Sequence, residues 1–255
     1  MKILASDYDG TLRTEEFVAK RDMEAIAKFQ AAGNLFGIVT GRSMESLHKE
    51  IDRNGFTYDF IVTNNGGVIY DKDLACLDCK YIEFTQALDL LSYIKTLDCV
   101  SYVINDGFHR YKYTVDENQV DNKYGGVKDT DVKQEEILDR GKIAQFVISI
   151  NDDMAAHEIA QYINMNYKGY AQAFINVNCV DIVPYGVSKA EGLAYIEAHL
   201  ELEHDDIYTI GDSFNDIPMM EEFHGCTLTY VDDVIKVNCE HVYDSVADCI
   251  EDLMK

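Results

Sequence analysis

Positive charge is what this chain has least of: 22 lysines and arginines face 46 aspartates and glutamates, for a formal net charge of -24. So acidic a molecule repels nucleic acid and anionic lipid, which excludes both as partners. No apolar run is long enough to span a bilayer. The opening residues, Met1 to Asp7, reach a carboxylate too early for a secretory signal, so a cytoplasmic address is expected. A disulfide framework is also missing. The seven cysteines are odd in number and scattered, and Cys76 and Cys79 form a Cys-x-x-Cys pair with no second pair or nearby His to complete a zinc set. Packing is the expected role of these thiols. What remains is a chain of 255 residues, 47% hydrophobic, enough for one large core or a core with an insert.

The hydrophobic pattern divides the chain into three stretches. Lys2–Ser6 reads as a buried strand, residues from Met23 to a glycine stop at Gly33 as a helix, and Phe36–Val39 as a second strand. A helix from Ser43 to Asn54 and a strand at Phe60–Thr63 follow. Strand-helix-strand alternation predicts a parallel sheet with covering helices. From Tyr81 the rhythm changes. A helix over 86–98 precedes two strands joined by Asn105-Asp106-Gly107, a hairpin signal. Helix and strands then recur at 143–150, 153–167, Ala171–Val177 and Val180–Val183, with 116–135 as a polar loop. Two such units predict a small inserted α+β domain with an antiparallel sheet. After Pro184 the first rhythm returns. Ser188-Lys189-Ala190-Glu191 fits a capping box, Ile207–Ile210 a strand, and Ser245 a helix start. The expected division is 1–80 with 184–255 as the core and 81–183 as the insert.

Four stretches carry the chemistry. Asp7-Tyr8-Asp9-Gly10-Thr11 puts two carboxylates at the C-terminal end of a strand, where open parallel sheets bind ligands. If the strand geometry persists, both lie on one side of the chain. Gly10 permits a sharp turn. Thr40-Gly41-Arg42 offers a hydroxyl, a backbone N–H and a guanidinium at the next strand end. Lys189 stands just inside a predicted helix start, where its ammonium and the free N–H groups present positive potential together. Gly211-Asp212-Ser213-Phe214-Asn215-Asp216 supplies hard oxygen ligands of the kind Mg2+ takes, with Pro218 fitting the next helix's first turn. Taken singly, each has a plain alternative: a solvated Asp-Gly turn, a helix entry, a surface lysine, an acidic loop.

In this order the four stretches resemble the haloacid dehalogenase-like superfamily, and more closely its Cof-type sugar-phosphate phosphatases; Asn64-Asn65-Gly66-Gly67 also matches the Asn-Gly that follows the third strand there. The resemblance implies a Rossmann-like α/β core, helices on both faces of a parallel sheet, and a cap inserted between the second and third motifs. It implies a Mg2+-dependent phosphatase of small phosphate esters, with Asp7 as nucleophile and Asp9 as general acid and base. Thr40 and Lys189 would hold the phosphoryl group, with Gly10, Gly41, Arg42, Asn65 and Asn215 around it. Asp7, the Asp9 carbonyl and Asp212 would bind Mg2+, supported by Asp216. For Asp9 to donate a proton its pKa must rise, and burial beside Asp7 is expected to act in that direction. His109, Arg110 and Lys112 are candidate substrate contacts, a solvated hairpin face being the alternative. The segment Cys226–Asp233 replaces a small-residue stretch usual in the family. A phosphomutase or phosphoryl transferase would use the same aspartyl-phosphate, and a non-catalytic phosphate binder would have no need of Asp9.

Overall fold

The computed structural model describes residues 1–176 and 179–255. It divides into two compact units: Met1–Arg42, Leu47–Asp78 and Ser188–Lys255 form the first, Ser43–Ser46 and Cys79–Val187 the second.

The first unit is built on an eight-stranded sheet. In chain order its opening elements are β1 (Ile3–Ser6), α1 (Lys20–Ala31), β2 (Leu35–Val39), α2 (Met44–Asn54), β3 (Phe60–Thr63), β4 (Val68–Asp71) and β5 (Cys76–Cys79). Gly33 and Gly55 take positive φ just past α1 and α2, as the sequence predicts for helix stops. All four residues of β1 are buried, and because alternate side chains point to opposite faces, both faces of the sheet are covered there. β1 pairs in parallel with β2, and β2 with β3; β4 then turns back antiparallel onto β3.

The second unit runs through α3 (Phe84–Ile94), β6 (Ser101–Asn105), β7 (Arg110–Thr114), α4 (Gln134–Asp139), β8 (Gln145–Ser149), α5 (Asp153–Asn166), β9 (Ala171–Asn176) and β10 (Cys179–Pro184). Its five strands lie in the order β7-β6-β8-β10-β9, and every pairing is antiparallel. Leu90, Leu91 and Ile94 of α3 and Ile159 and Ile163 of α5 pack with Ile104, Phe146 and Ile182 of the sheet in one apolar core. The expected strand end at Val177 lies outside the described residues. The predicted loop over 116–135 ends at 133, and its last two residues begin α4.

The chain closes with α6 (Lys189–His199), β11 (Ile207–Ile210), α7 (Ile217–Glu222), β12 (His224–Leu228), α8 (Asp233–Lys236), β13 (His241–Tyr243) and α9 (Val246–Leu253). The large sheet has the order β13-β12-β11-β1-β2-β3-β4-β5, with β1 parallel to β11 and β11 parallel to β12. β1 is therefore central. Its C-terminal end lies beside those of β2 and β11, and the loops leaving these three strands carry three of the four motifs. The fourth is brought in by α6. Gly66, at positive φ after β3, packs so tightly on the carbonyl of Ser188 that a Cβ there would collide with it. That close approach sets the first turn of α6 against the end of β3. Among the described residues no helix is long and apolar enough to cross a membrane.

Candidate active site

Ser188 caps α6, its hydroxyl accepting from the Glu191 N–H at 3.1 Å, and the next residue begins the helix. Lys189 is 1% exposed. Its Nζ donates to Asp7 Oδ1 at 2.6 Å and to Asp216 Oδ1 at 2.5 Å, so two motifs 209 positions apart in the chain share one ammonium. Burial alone would lower the Lys189 pKa, but the two carboxylates outweigh it and the pKa rises. The side chain is a fixed cation.

Asp212 completes the cluster. Oxygens of Asp7, Asp212 and Asp216 lie within 4.8 Å of one another. Burial pushes the Asp7 carboxyl well above its ordinary value, against the pull of Lys189 and with the repulsion of Asp216 and Asp212. Asp212 is raised to about 6, again by burial first and then by Asp216. Asp216 is anchored: its Oδ2 accepts from the N–H groups of Asp212 at 3.1 Å and Ser213 at 3.0 Å, leaving only Oδ1 for Lys189. Thr11 donates to Asp212 Oδ1 at 2.7 Å. Three carboxylates thus face one ammonium. Two negative charges are left in a buried, all-oxygen site, and a small hard dication such as Mg2+ fits that donor set and that charge. Gly10, at φ +87°, lies flat against the Asp212 carboxylate, where a side chain would clash.

Around this centre Thr40 is buried, and its Oγ1 accepts from the Arg42 N–H at 3.2 Å. Asn215 donates to Asn65 Oδ1 at 3.0 Å, and the Asn65 N–H donates to the Thr40 carbonyl at 3.0 Å. Asn65 holds a left-handed conformation, φ +55°, which asparagine tolerates better than most residues. These links tie the loops after β2, β3 and β11 together.

Asp9 departs from expectation. β1 ends at Ser6 and Tyr8 lies in a turn, so strand alternation does not carry on to Asp9. While Asp7 meets Lys189, Asp9 meets two arginines. Arg42 binds it with a two-pronged fork, Nε to Oδ2 at 2.5 Å and Nη2 to Oδ1 at 2.8 Å, and Arg13 adds a bond from Nη2 to Oδ1. Burial works to raise its pKa, but the guanidiniums of Arg42 and Arg13 outweigh it and hold Asp9 at about 2. The expected rise is therefore corrected to a fall. Arg13 is the residue that the sequence reading missed. Its only signal is a cation four positions after Asp9, which carries no pattern of its own.

In the second unit, His109 Nδ1 stands 3.2 Å from Asp106 and the ring is half-exposed. The Arg110 guanidinium donates to Ser46 at 3.1 Å. Lys112 is not a solvated hairpin residue: it is buried, paired with Asp121 at 3.4 Å, and donates to the carbonyls of Tyr124 and Val127. It clips the loop after β7 and has no donor to spare for a solvated face. The packing expected of the cysteines holds for Cys99, Cys179, Cys226 and Cys249, but Cys76 is exposed and all seven are free thiols. Tyr230, from the segment where the family pattern lapses, donates to the Gly10 carbonyl at 2.7 Å and so braces the first motif from outside.

A profile of the haloacid dehalogenase-like hydrolases matches residues 4–249. Two Bacillus subtilis (strain 168) proteins named 5-amino-6-(5-phospho-D-ribitylamino)uracil phosphatase are similar in sequence. YcsE is 21% identical, with 96% of this chain and 90% of the relative covered, and YwtE is 26% identical, with 87% and 85% covered. Among solved structures, BT1666 of Bacteroides thetaiotaomicron, described among the phosphatases of the haloalkanoate superfamily, superposes with a TM-score of 0.82 at 22% identity, over 100% of this chain and 94% of that one. At that identity the likeness is one of fold.

Proposed function

The chain belongs to the haloacid dehalogenase-like hydrolases, and from that premise we propose that it is a Mg2+-dependent phosphatase of small phosphorylated metabolites, sugar phosphates or similar, acting through a phosphorylated Asp7. The observation that carries this reading is the buried ammonium of Lys189 joining Asp7 to Asp216, with the Asp212 carboxylate within reach of both.

Asp7, Asp212 and the Asp9 carbonyl would hold Mg2+, with Asp216 fixing the Asp212 loop. Bound there, the ion neutralises charge between two anions and orients the ester. The rest falls to the chain's own groups. An Asp7 oxygen attacks phosphorus; the P–O bond to the leaving group breaks, and Asp9, carrying a proton taken from solvent once its carboxylate has left Arg42 and Arg13, delivers it to the departing oxygen. Lys189, Thr40 and the Gly41 N–H bind the phosphoryl oxygens, whose charge spreads in a loose transition state, and Asn215 and Asn65 keep the loops in register. Asp9, now ionised, takes a proton from water, which attacks the aspartyl-phosphate; inorganic phosphate leaves and Asp7 is restored. Splitting one slow substitution into two is the gain of a covalent route. On this reading residues 1–80 and 184–255 are the catalytic core, 81–183 are the cap that sets specificity with His109 and Arg110 among its substrate contacts, and the protein works in the cytoplasm.

A phosphate-release screen over sugar phosphates, pyridoxal phosphate and the phosphoribitylamino-uracil for which the two relatives are named tests this. Release requires Mg2+, stops with EDTA, and is lost in Asp7→Asn with the fold intact. Activity retained by Asp7→Asn refutes the assignment.

A further inference from the structure

Among the described residues three α-helices follow a serine, and two of them use it. Ser188 and Ser245 each accept an N–H from the first turn of α6 and α9. Ser43 stands at the same position before α2 and accepts none. The N–H groups that a capping hydroxyl takes are already held, that of Glu45 by the Phe108 carbonyl at 3.0 Å and that of Ser46 by the Ser43 carbonyl at 3.1 Å. Ser43 is 3% exposed, and its Oγ has no hydrogen-bond partner among the described residues.

The second unit holds another such atom. Asn105 ends β6 and pairs across the ladder with Arg110 of β7. Tyr102 and Ile104 point into the apolar core, so Asn105 and Arg110 share the opposite face of the sheet. Asn105 is also 3% exposed. Its Nδ2 donates to Gln145 Oε1 at 3.0 Å, while its Oδ1 has no donor among the described residues. Other polar groups on this face are served: Ser101 and Ser149 donate to Asp121 at 2.6 and 3.0 Å. Arg110 connects the two orphans. Its N–H donates to Glu45, and its guanidinium donates to Ser46, one helical turn from Ser43 on the same side of α2. The Ser46 bond is the guanidinium's one hydrogen bond among the described residues, which leaves it donors to spare.

Buried polar atoms without partners are rare, and two of them flanking one arginine call for a ligand. Ser43 Oγ can give or take a hydrogen bond, Asn105 Oδ1 only takes, and Arg110 only gives. Ionised phosphate and carboxylate oxygens have nothing to offer Asn105. A hydroxyl is donor and acceptor at one atom, and so suits all three. Ser43 also follows Thr40-Gly41-Arg42 directly. Three residues span at most about 11 Å of chain, which keeps Ser43 close to the loop assigned to the phosphoryl group. We propose that Ser43, Asn105 and Arg110 form a subsite for hydroxyl groups of the leaving alcohol, so that the chain selects esters of polyhydroxylated alcohols over those of plain ones. The inference rests on the phosphatase reading and deepens it by naming what the leaving group must carry.

Initial rates of phosphate release by the full chain with Mg2+ test it. A pentitol phosphate is compared with pentyl phosphate, and glycerol phosphate with propyl phosphate, pairs that share a carbon skeleton and differ in hydroxyls. The unaltered chain prefers the hydroxylated member of at least one pair in kcat/KM. Ser43→Ala narrows that preference by about tenfold, the worth of one hydrogen bond. Unlike loss of a capping serine, it leaves the urea midpoint unchanged or higher, because an unpartnered buried hydroxyl adds nothing to the fold. Asn105→Leu narrows the preference in the same sense, and Ser43→Ala decides alone if that variant does not fold. No preference in the unaltered chain, or equal losses on both members of each pair in Ser43→Ala, overturns the subsite and leaves the phosphatase standing. No Mg2+-dependent release from any ester overturns the phosphatase reading and the subsite with it.

Discussion

Lys189 is ion-paired with two buried carboxylates at once. Removing one partner of a buried ion pair leaves the other charge stranded, a loss of about 3–5 kcal/mol where such pairs have been broken. Lys189→Met is therefore expected to lower stability by an amount of that order in a urea titration, and, with the phosphoryl contact proposed for it gone, to lower kcat by about two to three orders of magnitude. The residues of this centre were legible because each stood at a strand end or helix start with a side chain suited to one task. Their convergence was inferred from the order of the motifs. Where Asp9 points was not legible, because it depends on a turn whose path no residue pattern reveals. The same holds for Arg13, which acquires meaning only once that turn folds back.

At the scale of elements, the two Ser caps make a controlled pair. Ser188 opens α6 and Ser245 opens α9, each accepting from the N–H three residues on. Ser188→Ala and Ser245→Ala should each cost about 1 kcal/mol in thermal or chemical unfolding. Only Ser188→Ala should also reduce turnover, since it loosens the turn that carries Lys189. A second element-level prediction concerns the short turn before β11. His204 Nδ1 pairs with Glu197 at 3.0 Å and Nε2 donates to the Glu222 carbonyl at 3.0 Å, so the protonated ring is favoured and its pKa is raised, chiefly by the Glu197 hydrogen bond. A raised histidine contributes stability that is fully present below its unfolded pKa and is lost as pH rises through the folded one. An NMR titration should place the ring above the ordinary 6.5, and His204→Gln should flatten the stability profile across that window. The central strands β1, β2, β3 and β11 were readable from compact apolar runs. The outer strands were not. β12 contains Gly225 and begins with His224, β13 is three residues long, and β5 mixes Cys, Leu and Asp. Their pairing is set by neighbours already in the sheet rather than by local pattern.

For the molecule as a whole, an ion bound at the proposed site would draw on carboxylates from chain segments 205 positions apart, at Asp7 and Asp212. Binding to the folded state alone raises stability by mass action, about 2.7 kcal/mol at a hundredfold excess over Kd. The thermal midpoint should climb with Mg2+ concentration, and the climb should be largely lost in Asp212→Ala. The charge of -24 fits the same picture: an acidic protein attracts an anionic ester only where cations are concentrated, and the sequence indicated where to look for them. The most direct test of the central claim is rapid acid quenching during turnover, followed by peptide mass mapping. A phosphoryl group on the peptide that contains Asp7, absent when Asp7→Asn is treated alike, is the predicted result. Continued phosphate release with no phosphorylated peptide, or with the label on another residue, would contradict it.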